Sequence, residues 1–440
     1  MCDKGVKQGD NLSPTLFSVF VNDLVAEINN LDLGVKIDES SVSMLLYADD
    51  IALIANSEAD LQIMLNQMHD WCKRWRVLIN TEKSKVVHFR KGRSQRTDTE
   101  FKIGLNVLEI VDKYKYLGVV MHEKRDYSFH CEMLAKSAGR ALGSIINKIH
   151  NMKQAGFKTY EKLYNSCVIP ISDYCASIWG FKHFKSAENV HHRAIRYFLG
   201  VHRFTPILAL LGEIGWLPSI YRRWLAMIRF WNRLVKLDEY RLTKRAFERD
   251  YSSSNNNNWC SEFKTVMSSL NLTDYYNRKR PIPIDLAKES MTQFYSIIWS
   301  RDYERVSKLR TYRTFKTEFV CEEYLTLNLK RNERALFAQF RTGILPLRVE
   351  TGRYVGEAPE QRRCKLCHSG LVEDETHFLV ECALYENTRS VIFGNILNSE
   401  EYATCQSNKD KLVLLVKCHP RKCAKFVVNA FYIRSSILYK

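Results

Sequence analysis

LLYADDIALIA, residues 45–55, is the stretch on which the reading of this chain turns. Two short apolar runs, Met44 to Leu46 and Ile51 to Ile54, flank Tyr47-Ala48-Asp49-Asp50, the pattern of a tight β-hairpin with its polar residues at the tip. Such a hairpin holds two adjacent carboxylates at an exposed turn. Alone the pair says little, because aspartate is a common turn former and most such pairs are solvated loop residues. The flanks carry more. Upstream, Ser13-Pro14 reads as a helix start, serine as N-cap and proline at the first helical position. Leu16, Phe17, Phe20, Val21, Leu24 and Val25 then recur on one face. Downstream, Ser57 and Asp60 suggest a capping box ahead of Leu61, Met64, Leu65, Met68, Trp71, Cys72 and Trp75, which repeat at three and four residues.

The 440 residues are 45% hydrophobic, enough for a sizeable core and for about two or three domains. Lys plus Arg number 66 against 49 Asp plus Glu, a net charge of +17, which favours polyanionic partners, nucleic acid first; an ordinary basic protein would look the same by charge alone. The first residues, MCDKGVKQGDN, lack the apolar core of a signal peptide, and no apolar run approaches the roughly 18 residues that cross a bilayer. The expectation is a protein that is neither secreted nor membrane-spanning. Its thirteen irregularly spaced cysteines are then mostly reduced thiols, some packed and a few able to hold metal, with no disulfide framework.

Four motifs follow one another: Gly5-Val6-Lys7-Gln8-Gly9-Asp10-Asn11-Leu12-Ser13-Pro14; the YADD hairpin; WCKRWRVLINTEKSKVVHF; and YKYLGVVM from Tyr114 to Met121. The series resembles the palm of reverse transcriptases of non-LTR (LINE-type, jockey-like) retrotransposons. The resemblance implies an α+β fold made of a partial right-hand polymerase palm, an α-helical thumb and connector, and a small zinc knuckle. It implies RNA-directed DNA polymerase activity, with an RNA template, a DNA primer or target and dNTPs as partners. Phosphoryl transfer to a primer hydroxyl uses two Mg²⁺ (or Mn²⁺) ions about 3.5 to 4 Å apart, and hard cations take carboxylate oxygens. By resemblance, Asp49 is a metal ligand, Asp50 supports the same site, and Lys83 approaches the leaving pyrophosphate. Gln8, Gly9, Tyr47 and Asn80 line the nucleotide and template side, and Tyr116, Leu117 and Gly118 form the primer grip. Read without the resemblance, Lys83 is a solvated loop lysine and Gln8-Gly9 a turn. In the family the principal metal-binding aspartate precedes the QG segment, where this sequence starts, so the chain is expected to be inactive alone. A non-catalytic nucleic-acid-binding remnant is the rival reading. Localisation by resemblance is intracellular, nuclear and cytoplasmic.

Pro170-Ile171-Ser172-Asp173-Tyr174, Ile178-Trp179-Gly180 and His192-Arg193-Ala194-Ile195-Arg196 resemble the region after the palm in the same elements. Arg193, Arg196, Arg203, Arg222, Arg223 and Arg229 interleave with Trp216, Trp224, Phe230 and Trp231, a pattern for phosphate contact with base stacking, although core packing explains many such aromatics. SSSNNNN, residues 252–258, reads as a linker. Cys364, Cys367, His377 and Cys382 are spaced by two, nine and four residues, a donor set for tetrahedral Zn²⁺ resembling the family's C-terminal knuckle. His368 is a rival ligand, free packed thiols are the alternative, and Glu373, Asp374 and Glu375 make the loop acidic beside Arg362, Arg363 and Lys365. About 30 residues bury little apolar surface, so this segment is expected to fold only with metal. The expected organisation is a palm over 1–124, thumb and connector over 125–250, a linker at 251–262, a helical connector over 263–360, the knuckle at 361–390 and a tail at 391–440.

Overall fold

A computed structural model describes residues 6–7, 9–152, 155–253 and 257–438. The chain forms two compact units, Met1–His130 with Trp231–Thr265, and Cys131–Phe230 with Val266–Lys440.

In the first unit, α1 (Ser13–Asn29) and α2 (Glu58–Trp75) pack face to face. Val21, Leu24 and Ile28 of α1 meet Met64, Met68, Trp71 and Cys72 of α2 in one buried cluster, with Phe20 edge-on to Trp71. This is the helical stripe read from sequence, rotated: Leu16 lies outside it and is 48% exposed. The Ser57 hydroxyl accepts from Asp60 N and starts α2 as expected. Ser13 does not cap α1. The cap position is Leu12, the Asp10 carboxylate accepts from Leu12 N, and the Ser13 hydroxyl donates to Lys7 O. An aspartate two residues before the cap position outcompetes the serine because it folds the entering chain into a turn of its own.

Among the described residues, nine short strands make small sheets. β1 (Val35–Ile37) pairs with β2 (Ser40–Val42), and β3 (Met44–Tyr47) with β4 (Asp50–Leu53). β5 (Lys85–Val86) and β6 (Phe101–Ile103) flank β7 (Asn106–Ile110), and β8 (Lys113–Tyr116) pairs with β9 (Val119–His122). Phe101, Ile103, Leu108 and Val86 bury one face of the three-stranded sheet against Leu65 of α2. The mixture of helices and small sheets fits a reverse transcriptase domain. Residues 231–265 return to this unit because Arg245 donates to Ile37 O and to the Ser40 hydroxyl and Arg249 donates to Lys36 O; within the returning segment Trp231 stacks on Phe263. The expected linker at 251–262 therefore lies inside the first unit, and only its residues 254–256 fall outside the described ones. Its flanks are helical ends, Leu242–Ser252 and Trp259–Ser269, with Asn258 buried and donating to Asp250 O.

The second unit is helical and rich in buried aromatics. Tyr164, Trp216 and His191 stack face to face, as do Trp299 and Tyr303. Several of its buried arginines are paired. Arg341 reaches Glu213 at 2.9 Å and Glu322 at 2.6 Å, and Arg434 grips Glu373 at 2.8 and 2.9 Å. Removing one partner of such a pair leaves an uncompensated buried charge, at a cost of about 3–5 kcal/mol. The segment read as a tail is helical: Glu386–Leu397 leads into it, and Glu400–Ala403, Asn408–Cys418 and Pro420–Leu438 follow. Phe426, Val427 and Ala430 of the last are fully buried, and Phe393 and Phe378 pack on Phe426.

Candidate active site and metal centre

The YADD hairpin folds as β3 and β4 joined by a two-residue turn, Ala48-Asp49, with Tyr47 opposite Asp50. Tyr47 and Asp50 are thus strand residues rather than tip residues. Ala48 takes φ +52°, a left-handed conformation that costs an alanine roughly 1–2 kcal/mol. Such strain is held where surrounding structure fixes it, often at functional turns. Asp49 and Asp50 are both exposed.

One other motif of the first unit reaches this hairpin directly, and a second is tied to that motif. Tyr116, the last residue of β8, has its hydroxyl pKa raised, first by burial and then by the negative charge of Asp50 close by. Leu117 and Gly118 close the β8–β9 turn at φ +45° and +82°. Tyr114, two residues before Tyr116, donates its hydroxyl to Lys83 O at 2.9 Å. Lys83 itself sits in a turn tied by Asn80, whose side chain accepts from Lys83 N and whose carbonyl accepts from the Ser84 hydroxyl. The side chain of Asn80 is spent on this turn, and Lys83 is exposed. Gly9 takes φ +85° in open space, while Gln8 lies outside the described residues. Among the described residues, only one group of three or more Asp, Glu, His or Cys side chains is close enough to hold a metal, and it is not here. Asp49 and Asp50 have the hard oxygen donors that Mg²⁺ takes, but no third carboxylate of the described residues joins them.

That one group is Cys364, Cys367, His377 and Cys382, whose ligand atoms all lie within 4.8 Å of one another. A tetrahedral zinc site with thiolates at about 2.3 Å sets its donors about 3.8 Å apart, so a small contraction suffices. Cys364 N donates to Leu371 O at 2.8 Å and Arg363 pairs with Val372, forming a hairpin that returns at Gly370, φ +72°. His377 and Cys382 bracket a π-helical turn, His377–Glu381, entered through Asp374, which accepts from His377 N at 2.8 Å. Cys364, His377 and Cys382 are buried and Cys367 partly so. His377 Nε2 lies 3.2 Å from Cys367 Sγ. A hydrogen bond with Cys382 pulls the Cys364 thiol well below its ordinary range. Burial works against protonation of His377, but the sulfurs of Cys364 and Cys367 outweigh it and raise its pKa to about 9. Cys364 thus leans toward the thiolate and His377 toward the imidazolium, while the hydrogen bond with Cys364 and burial push the Cys382 thiol up; a bound divalent ion would take the place of the protons held here. His368 is exposed and outside the group, and Cys418, His419 and Cys423, although close in sequence, make no such group, Cys423 donating instead to Leu415 O. The described cysteines are all free thiols.

The loop is less acidic than its sequence reads. Glu373 turns inward to Arg434, and Glu375 to Arg310 and Thr311, leaving Arg363 and Lys365 exposed. The arginine pattern also changes. Arg222 pairs with Asp173, and Arg223 is fully buried against Ser219 and Trp179, so neither is free to meet a phosphate. Trp216 is committed to Tyr164 and donates to Glu161. A Cβ on Gly180 would come 2.7 Å from Arg223 Cβ, so the Trp179-Gly180 motif serves packing. Arg193, Arg203 and Arg229 remain exposed. No sequence signal marks the buried pairings, because Asp173 and Arg222 stand 49 residues apart. No described helix is long and apolar enough to cross a membrane.

Residues 1–121 match the family "Reverse transcriptase (RNA-dependent DNA polymerase)". The chain is 28% identical over 184 residues to the RNA-directed DNA polymerase from mobile element jockey of Drosophila melanogaster, covering 40% of this chain and 19% of that protein. It is 25% identical over 201 residues to the probable RNA-directed DNA polymerase from transposon BS of the same species, 44% of this chain and 22% of the relative. A retrovirus-related Pol polyprotein from type-2 retrotransposable element R2DM of that species is 28% identical over 123 residues, 26% of this chain and 12% of the relative. The chain thus spans about a fifth of the length of the first two relatives. Residues 1–121 are thus similar to reverse transcriptases, and the first two of these relatives carry the names of RNA-directed DNA polymerases of mobile elements.

Proposed function

We propose that this chain is part of the RNA-directed DNA polymerase of a non-LTR retrotransposon, with the first unit supplying palm elements and the second a thumb, connector and zinc knuckle. The observation that carries the reading is convergence. Asp50, Tyr116, Tyr114 and Lys83 come from three separate motifs, yet Asp50 bears on Tyr116 and Tyr114 holds the Lys83 turn. In this reading Asp49 and Asp50 bind Mg²⁺ or Mn²⁺, Lys83 stabilises charge on the leaving pyrophosphate, and Tyr47, Gln8, Gly9 and Asn80 face the nucleotide and template. Tyr116, Leu117 and Gly118 hold the primer. The metal would supply charge neutralisation of the transferring phosphoryl group. Two adjacent carboxylates are too few for two ions, so the described residues form part of the site. The partners are an RNA template, a DNA primer and dNTPs, met inside the cell. Cys364, Cys367, His377 and Cys382 bind one Zn²⁺.

Primer extension on an RNA template tests this. The chain alone is expected to incorporate nothing. A chimera joining it to the region of the jockey polymerase that precedes the matched stretch should extend the primer. Asp49→Asn should abolish that activity, and Lys83→Ala should slow it with RNA retention unchanged. Extension that survives Asp49→Asn sinks the assignment. A second reading, a nucleic-acid-binding remnant without catalysis, is favoured by the net charge of +17, with no third carboxylate beside Asp49 and Asp50 among the described residues. A chimera that binds RNA but never extends a primer would favour it.

A further inference from the structure

The ring of His377 has two nitrogens with different partners. Nε2 faces the sulfur cluster, 3.2 Å from Cys367 Sγ, and Nδ1 lies 3.3 Å from Glu381 Oε2. The second oxygen of Glu381 is itself held, accepting from Asn408 Nδ2 at 2.9 Å. Glu381 is the last residue of the turn that His377 opens, and Asn408 is the first residue of the helix Asn408–Cys418. We propose that Glu381, fixed by Asn408, is the positioning residue of the metal centre: it holds the Nδ1–H tautomer of His377 and so aims the Nε2 lone pair at the ion. The proposal rests on the zinc reading above.

The argument is geometric. A neutral imidazole has one donor and one acceptor nitrogen, and a carboxylate, which only accepts, can pair with Nδ1 only if Nδ1 carries the proton. Once the ion has displaced the second proton of the imidazolium, the acceptor is Nε2, the nitrogen among the thiols. Ring rotation by a half-turn would put Cε1 where Nε2 faces the sulfurs and Cδ2 where Nδ1 meets the carboxylate, breaking that bond, so Glu381 selects one orientation as well as one tautomer. Outer carboxylate partners of metal-bound histidines also raise the basicity of the ligating nitrogen. Asn408 matters because Glu381 is partly exposed and, unheld, has rotamers that point into water. Through it, the loading of the ion is linked to the start of a helix that begins 26 residues after Cys382, beyond the span of the ligands themselves.

The test uses the full chain under reducing conditions. Co²⁺ absorption reads the ligand set, competition with a chromophoric chelator reads Zn²⁺ affinity, and long-range ¹H–¹⁵N correlation of ¹⁵N-histidine-labelled protein reads the His377 tautomer. Wild type is expected to show a tetrahedral thiolate spectrum with Nε2 bound. Glu381→Ala should weaken Zn²⁺ affinity by about 10- to 100-fold, Glu381→Gln should recover part of it because its amide oxygen still accepts from Nδ1, and Asn408→Ala should fall between Glu381→Gln and wild type. Glu386→Gln, exposed and outside the cluster, serves as a control. Variants are compared only where far-UV circular dichroism is unchanged. Wild-type affinity in Glu381→Ala, or Nδ1 coordination in wild type, overturns the positioning role while leaving zinc binding intact. Absence of metal from wild type removes the zinc reading and this proposal with it.

Discussion

Leu117 and Gly118 close the β8–β9 hairpin with both residues at positive φ, +45° and +82°. Only the second is a residue free of the Cβ penalty there. Gly118→Val should therefore lower the stability of the first unit by about 1–2 kcal/mol, read as a shift in its urea midpoint with an unchanged slope. An unchanged midpoint would mean that the turn relaxes to another type. At the same scale, Glu123 is buried between Arg90 and Arg96, and its pKa is lowered, chiefly by the hydrogen bond from Arg90. A carboxylate with a depressed folded pKa stabilises the fold above its unfolded value, about pH 4.3, and loses that contribution as the pH falls through the folded value. Glu123→Gln should flatten the acid limb of the unfolding curve; an acid limb identical to wild type would show that other carboxylates govern it. Residues whose role is set by near neighbours are legible in the sequence, as Ser57 capping α2 and the tight turn between β3 and β4 illustrate. The sequence misleads at Ser13 because Asp10, two residues before the cap position, offers the backbone a better partner.

At the scale of elements, the metal-binding segment is legible as a donor set and not as a fold. Its four ligands lie within 19 residues, which spacing reveals, whereas its supports come from distant chain. Glu373 pairs with Arg434, Glu375 with Arg310, Glu373 O accepts from Val349 N, and Phe378 packs on Phe340 and Phe426. The segment is therefore a piece of a larger core, which changes the expectation that it folds by metal alone. A peptide of residues 361–390 titrated with Co²⁺ should bind more weakly than the full chain and stay largely unstructured until metal is added. In the full chain, chelation should lower the melting temperature without melting the helices, because Phe378, Phe393 and Phe426 stay buried. Cys382→Ser should remove the same increment and make the melting temperature insensitive to chelator. Complete loss of helix on chelation would restore the view of metal as the sole organiser.

At the scale of the molecule, the two units are discontinuous in sequence, and no pattern of residues announces it. Arg245 meets the β1–β2 hairpin across 205 residues, through a carbonyl and a hydroxyl that leave no compositional trace. The net charge of +17, in contrast, is visible at once, and the structure sorts which arginines it leaves available. Arg222 and Arg223 are consumed inside the second unit, while Arg193, Arg203 and Arg229 stay exposed. Each phosphate neutralised by a cationic side chain releases condensed counterions, and for single strands it adds about 0.7 to the steepness of log affinity against log salt. Replacing Arg193, Arg203 and Arg229 together by Gln should therefore shallow the slope for single-stranded RNA by about 2, if each meets one phosphate, with the unfolding midpoint unchanged. Arg222→Gln should do the opposite. It strands Asp173, which is largely buried beside it, and so costs stability while leaving the salt slope of the protein that remains folded as in wild type. Filter binding across a salt series, paired with urea unfolding of each variant, separates the two outcomes. A slope unchanged in the triple variant would assign the charge to solvation and remove these arginines from any nucleic-acid surface.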